Sequence, residues 1–127
     1  MDKVSIIVRT CGRPEVLRGA LESIRKQTYP DVETVVIEDG LEISRQMICT
    51  EYSDLQLRYI STGKRVGRAK AGNLGMKVAQ GKYLNFLDDD DVLYPEHIEI
   101  LLQTLQSAEE KAVYSVAEEA AAIYRKR

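Results

Sequence analysis

Several protein classes are excluded by what this 127-residue sequence lacks. It has a single histidine, His97, so a multi-histidine metal centre is ruled out. Its two cysteines, Cys11 and Cys49, are far apart and form no Cys-x-x-Cys pair, which points to free thiols in a reducing compartment. The net charge is only −2 at neutral pH, which argues against general binding to nucleic acid or to an anionic membrane surface. No apolar run approaches the roughly 20 residues needed to span a bilayer. Met1-Asp2-Lys3-Val4 leads straight into an apolar segment, so no signal peptide is expected. There is no internal repeat, low-complexity tract or linker. Gly63-Lys64-Arg65-Val66-Gly67 lacks the Gly-Lys-Ser/Thr of a Walker A loop, and no Gly-x-Gly-x-x-Gly follows the first strand, so neither phosphate-binding fingerprint is present.

What remains is the composition of an ordinary globular protein, 44% hydrophobic and 30% charged. The length suits one domain, residues 1–127, large enough to bury roughly two-thirds of its unfolded surface. Val4–Val8, Val32–Ile37, Leu57–Ile60 and Tyr83–Leu87 read as strands. The first two are nearly continuous apolar runs, as in a parallel sheet covered on both faces. Between them lie helical patterns. Pro14 to about Gln27 carries the stripe Val16, Leu17, Ala20, Leu21 and Ile24. Leu41 to Tyr52 is weakly helical. A helix is predicted from about Ala69 to Gln80, with Gly81 as its C′ residue, and another from Pro95 to about Ser107 with Ile98, Leu101, Leu102 and Leu105 on one side. His97 is expected to face solvent at the start of that last helix. Gly72 and Gly75 inside the third helix imply close approach of a strand or a ligand. Ala112–Val116 suggests a further strand, and Glu118–Tyr124 suits helix or strand. This alternation predicts an α/β fold, a three-layer α/β/α sandwich around a central, mainly parallel sheet.

The chemistry concentrates at strand ends. Tyr83–Leu87 runs directly into Asp88, Asp89, Asp90 and Asp91. Adjacent unit charges about 4 Å apart repel by roughly 1 kcal/mol even at the dielectric of bulk water, so four carboxylates at the mouth of a strand call for a cation. An oxygen-only ligand set favours Mg²⁺ or Mn²⁺, with Ca²⁺ also compatible. Asp39 closes the second strand, and Thr10 to Arg13 form a polar end to the first. Lys64, Arg65, Arg68 and Lys70 precede the fourth. Carboxylates with a metal and nearby cations suit a phosphate-rich ligand. A receiver domain would want its acidic pair after the first strand, where Arg9 and Thr10 stand. A nucleotide-binding or nucleotidyltransferase module and a structural interaction domain remain open, although the latter leaves the aspartates unexplained.

From Val4 to about Leu105 the sequence resembles the nucleotide-sugar-binding half of a family 2 glycosyltransferase of the GT-A fold, whose sheet is Rossmann-like. The resemblance is carried by Val4-Ser5-Ile6-Ile7-Val8, Arg13-Pro14-Glu15-Val16-Leu17, Ala20-Leu21-Glu22-Ser23-Ile24 with Gln27-Thr28-Tyr29, and Val35-Val36-Ile37-Glu38-Asp39-Gly40. Gly67 with Asn73-Leu74-Gly75, and Tyr83 to Asp91 followed by Pro95, complete it. The resemblance implies a nucleotide-sugar donor, a UDP-sugar, with a Mn²⁺ or Mg²⁺ ion and inverting transfer to an acceptor such as a saccharide or a lipid-linked glycan. Asp88 and Asp90 correspond to the DxD carboxylates, Asp88 near the ribose and sugar and Asp90 on the metal. Asp89 fills the variable middle position of the donor site, and Asp91 supports the turn. Thr10 flanks base and ribose, and Asp39 accepts from the uracil ring. Where the family often has Pro-Thr-Tyr-Asn, this chain has Arg9-Thr10-Cys11-Gly12. Gly72 replaces an arginine common before Asn-x-Gly, and Arg68 or Lys70 is the expected substitute contact. The catalytic base is expected beyond residue 127, because Glu109, Glu110, Glu118 and Glu119 have no convincing place at an enclosed acceptor site. Donor binding without useful transfer by this chain alone is therefore expected, in the cytoplasm or at the inner face of the membrane.

Overall fold

The structure is a computed structural model that describes residues 1–107, 112–114 and 122–125. Its elements are β1 (Val4–Thr10), α1 (Pro14–Arg25), β2 (Val32–Glu38), α2 (Arg45–Glu51), β3 (Leu57–Ser61), α3 (Arg68–Val78), β4 (Tyr83–Asp88), α4 (His97–Ser107), β5 (Ala112–Tyr114) and β6 (Ala122–Arg125). The sheet order is β3-β2-β1-β4-β6-β5. β1 to β4 are parallel, while β6 runs antiparallel to both β4 and β5. The predicted α/β architecture with a mainly parallel sheet is observed.

Strand alternation sorts the side chains onto two faces. Val4, Ile6 and Val8 of β1, with Val36, Tyr83 and Leu87, pack on Leu17, Leu21 and Ile24 of α1 and on Ile98, Leu101, Leu102 and Leu105 of α4. Ile48 of α2 joins the same cluster. Ile7, Val35, Ile37 and Leu84 turn the other way and meet Ala71 of α3. Each fully buried branched side chain contributes about 1.5–3 kcal/mol, so the two apolar faces of β1 and β2 make the sheet the centre of the fold. A chain that moves outward from β1 to β2 to β3 and then returns to β4 reverses its direction of travel. Right-handed crossovers therefore put α1 and α2 on one face and α3 on the other.

The glycines of α3 have separate reasons. A Cβ on Gly75 would lie 2.5 Å from Ile7 Cγ2, so this glycine lets the helix sit down on β1. The close approach predicted there comes from a strand. Gly81 is not the C′ residue of the helix. α3 stops at Val78 with Ala79 in an extended conformation, and Gly81 is pressed against β1, donating its amide to Ser5 Oγ at 2.8 Å. The last described helix starts at His97 rather than Pro95, because the Pro95 carbonyl is taken by the Thr28 amide at 2.9 Å and the Glu96 carbonyl is the one that accepts a helical amide, that of Ile100 at 2.9 Å.

His97 is also not solvent-facing. It is half-buried, with Nε2 3.1 Å from Oδ1 of the buried Asn85 on β4. A polar residue inside a strand needs a partner, and α4 supplies it. At the far end, Ala112–Tyr114 and Ala122–Arg125 are strands, which resolves part of the ambiguous last segment. Val116, Glu109, Glu110, Glu118 and Glu119 lie outside the described residues.

Candidate functional site

Parallel strands deliver their carboxyl ends to one edge. β1 is the point where the sheet reverses direction, with β2 on one side and β4 on the other. Open α/β sheets form ligand crevices outside the strand ends at such switch points. Here the crevice is a cavity of about 430 Å³. Arg9, Thr10, Asp88 and Asp89 form its floor, and Asp39, Arg65, Arg68 and Asp90 line it further out.

The pleat divides the floor into two clusters. On the α3 side, Arg9 and Asp88 are register partners on β1 and β4, and Arg9 Nη2 donates to Asp88 Oδ1 at 3.0 Å. Arg68, at the start of α3, reaches Asp88 Oδ2 at 3.3 Å. Asp88 is therefore held between two guanidinium groups. On the α1 side, Thr10 Oγ1 donates to Asp89 Oδ2 at 2.8 Å, and Arg13 grips both oxygens of the same carboxylate, through Nε at 3.2 Å and through Nη2. The hydrogen bonds and charge of Asp89 hold the Arg13 guanidinium above its ordinary pKa. Asp89 and Thr10 are 3% exposed, so their polar groups are spent on each other and on Arg13.

The repulsion among four consecutive aspartates is thus relieved in part by the protein itself. Arginines neutralise Asp88 and Asp89. Asp90 and Asp91 are exposed and have no ion-pair partner among the described residues. Asp88, Asp90 and Asp91 each place a carboxylate oxygen within 4.8 Å of the others. The Asp91 carboxyl is raised above the usual range, first by lost hydration and then by Asp90, Asp88 and Asp89. A group of mutually repelling oxygens with no nitrogen or sulfur donor fits Mg²⁺ or Mn²⁺. The family resemblance assigns Asp91 to supporting the turn. Its amide does donate to the Asp88 carbonyl at 3.1 Å, but its side chain joins the same trio.

Asp39 is buried and already occupied. Its two oxygens accept the amides of Val66 at 2.7 Å and Gly67 at 3.0 Å, which fastens the β3–α3 loop over the end of β2. A carboxylate offers about four lone-pair sites, and the Thr62 hydroxyl stands 3.4 Å from Oδ1, so capacity for a ligand remains chiefly on Oδ2. The neighbouring Glu38 points to the opposite face and is fully buried. It accepts from Gly12 N at 3.0 Å, from Ser44 N at 2.8 Å and Ser44 Oγ at 3.0 Å, and from the Tyr59 hydroxyl. Burial and this bond push the Tyr59 phenol well above its ordinary pKa. Glu38 ties the β1–α1 turn, the start of α2 and β3 into one frame behind the crevice. Glu38 belongs to the Val35–Gly40 motif, but only the tertiary contacts show what it does.

Arg68 lines the cavity, whereas Lys70 is exposed on α3 and does not. Arg65 of the predicted basic cluster lines it too, as do Arg9 and Arg13, which the sequence does not single out as ligand contacts. The side-chain space over Gly72 holds Arg9. A Cβ on Gly72 would stand 3.7 Å from Arg9 Cδ and 3.8 Å from Phe86 Cε1. No linear signal connects positions 9 and 72. An arginine ending an apolar strand was the available clue.

A doubly wound α/β half with carboxylates and cations at its switch point has the architecture of the GT-A fold. The family model "Glycosyl transferase family 2" matches residues 5–120, and the chain belongs to that family. Curated relatives include the glycosyltransferase GlyG of Streptococcus pneumoniae, 30% identical over 88% of this chain and 38% of its own length. An uncharacterized glycosyltransferase of Rickettsia felis is 40% identical over 82% of this chain and 17% of its own length. The chain thus spans well under half of the relatives it matches. Among solved structures, S. aureus TarS 1-349 in complex with UDP-GlcNAc superposes with a TM-score of 0.79 at 25% identity, covering 87% of this chain and 33% of that one. The mannosyltransferase PcManGT of Pyrobaculum calidifontis, in complex with GDP-Man and Mn²⁺, shares the fold, with a TM-score of 0.84 at 19% identity over 98% of this chain and 44% of that one. Among the described residues, no helix is long and apolar enough to cross a membrane.

Proposed function

We propose that this chain forms the donor-binding part of an inverting glycosyltransferase that takes a UDP-sugar with a divalent metal ion. The observation that carries this reading is the meeting of Asp88 and Asp90 with Arg9 and Arg68 in one switch-point cavity, with Asp91 completing the carboxylate trio beside it. A diphosphate carries charge that both a metal and guanidinium groups stabilise. Asp90 and Asp91, with Asp88, would hold Mn²⁺ or Mg²⁺, which supplies charge stabilisation for a departing diphosphate. Asp39, at the β2 end, is assigned to the uracil, and Thr10 and Asp89 to the floor beneath base and ribose. UDP-GlcNAc in the similar TarS structure supports a uridine donor. The acceptor, a saccharide or lipid-linked glycan, and the base that activates it are assigned to parts other than this cavity. These residues alone are expected to bind donor without useful transfer, in the cytoplasm or at the inner face of the membrane.

Isothermal titration with UDP, CDP and ATP, each with and without Mn²⁺, tests the reading. Metal-dependent binding that favours UDP is the expected result. ATP or CDP binding as tightly as UDP would move the chain to a general nucleotide-binding module, and no metal dependence would remove the aspartate trio from the site.

A further inference from the structure

The arginine at the end of β1 has a buried donor that its neighbours do not satisfy. Arg9 sits at 27% side-chain exposure, with its stem against Gly72 and its guanidinium carbon 6.0 Å from the centre of the Phe86 ring. One terminal nitrogen reaches Asp88, and the other is 3.5 Å from the Arg68 carbonyl, at the limit of a hydrogen bond. Its Nε is buried and has no hydrogen-bond partner among the described residues. A guanidinium is a fork suited to bidentate recognition of phosphate or carboxylate, yet Asp88 takes a single tooth. Buried unsatisfied donors are rare in folded proteins and call for a reason.

Asp88 has two claims on it. It pairs with Arg9 and Arg68, and its oxygen also belongs to the trio with Asp90 and Asp91. A metal drawing on Asp88 weakens the pull of that carboxylate on Arg9. The metal would also bring the anionic diphosphate into the same cavity, which Arg9 lines. Gly72 adds no side chain against the Arg9 stem and fork, which stand 3.7 and 3.8 Å from where its Cβ would be.

Building on the donor-site reading, we infer that Arg9 is a partner-exchanging specificity residue. It neutralises Asp88 in the metal-free site and transfers its fork to the diphosphate of the donor once Asp88 turns to the metal. Arg9 thereby couples metal and donor: the metal alone competes with it for Asp88, and the metal with a diphosphate recruits it.

This coupling predicts changes of opposite sign in one variant. In Arg9→Gln, Mn²⁺ alone should bind severalfold more tightly, since the competitor for Asp88 is gone. UDP in the presence of Mn²⁺ should bind about tenfold more weakly, since a charge-assisted contact to phosphate is lost. UMP, which has no second phosphate, should be less affected than UDP. Arg65→Gln is the control for the general field, because Arg65 lines the cavity without pairing to Asp88. Its effect on Mn²⁺ alone should be smaller than that of Arg9→Gln. Calorimetric titrations on chains of matched melting temperature read all of these quantities. If Arg9→Gln does not fold, Arg9→Lys keeps the charge and the stem, loses the fork, and should still weaken UDP–Mn²⁺ binding severalfold. Equal weakening of metal and UDP, or no change in either, would make Arg9 a structural ion pair and overturn the inference. A wild-type chain that binds Mn²⁺ but no UDP would instead overturn the donor-site reading and the exchange with it.

Discussion

Arg9 and Asp88 lie side by side at the ends of β1 and β4, and a 3.0 Å ion pair joins them across the strand boundary where the sheet reverses. One residue further on, Thr10 and Asp89 repeat the pairing on the opposite face of the sheet with a 2.8 Å hydrogen bond. Two consecutive strand positions therefore brace two consecutive aspartates from opposite sides. The next two aspartates are left exposed beyond them.

That division separates metal-binding from structural aspartates. Asp90→Asn and Asp91→Asn each remove one charge from the trio while touching no ion pair. Each should lower Mn²⁺ affinity by about tenfold, equivalent to ~1.4 kcal/mol, and leave the urea unfolding midpoint unchanged. Metal titration followed by denaturation of the same samples checks both halves. Unaltered Mn²⁺ binding in both variants would remove them from the ligand set.

Asp89 should behave in the opposite way. Its carboxylate is buried and takes hydrogen bonds from Thr10 and Arg13. Asp89→Ala strands those donors, at a cost of about 1–3 kcal/mol in unfolding free energy. The half-exposed side chain of Arg13 can turn to water, which favours the lower part of that range. Chemical denaturation with a constant m-value is the measurement, and a variant as stable as the parent would contradict the bracing role.

Asp39 carries two separable roles. Loss of its carboxylate frees the β3–α3 loop from the Val66 and Gly67 amides, so Asp39→Ala should increase the hydrogen exchange of those two amides. The unaltered chain should prefer UDP over CDP by about 1–3 kcal/mol, because cytosine has no ring N–H to offer the remaining lone pairs. The preference should narrow in Asp39→Ala. CDP binding equal to UDP in the parent would confine Asp39 to fastening the loop.

His97 predicts a pH effect with a definite sign. Burial lowers its pKa below the ordinary value near 6.5, so the unfolded chain takes up its proton first as pH falls. The contribution of neutral His97 is full above the unfolded pKa and declines as pH falls toward the lower folded value. His97→Gln keeps a side chain able to bond Asn85 and removes the titration. Between pH 7 and 5 the parent should lose more melting temperature than this variant. Parallel melting curves across that range would show that His97 does not titrate differently in the two states.

Periodicity was enough for the class of fold. The apolar runs of β1 and β2 demand cover on both faces, and the striped segments between the strands supply it. The aspartate run after β4 likewise marked the site, because like charges beside an apolar strand need compensation. What compensates them is a tertiary matter. Arg9 and Asp88 are 79 residues apart and become neighbours only when β4 pairs with β1. The same pairing turns Asp88 to the α3 side and Asp89 to the α1 side, so four identical residues acquire different partners. Gly72 and Gly75 look alike in sequence, yet one leaves room for Arg9 and the other for Ile7. Local pattern sets which residues are strand, helix or charge. Which carboxylate meets a cation, and which stays open, depends on the order of strands in the sheet.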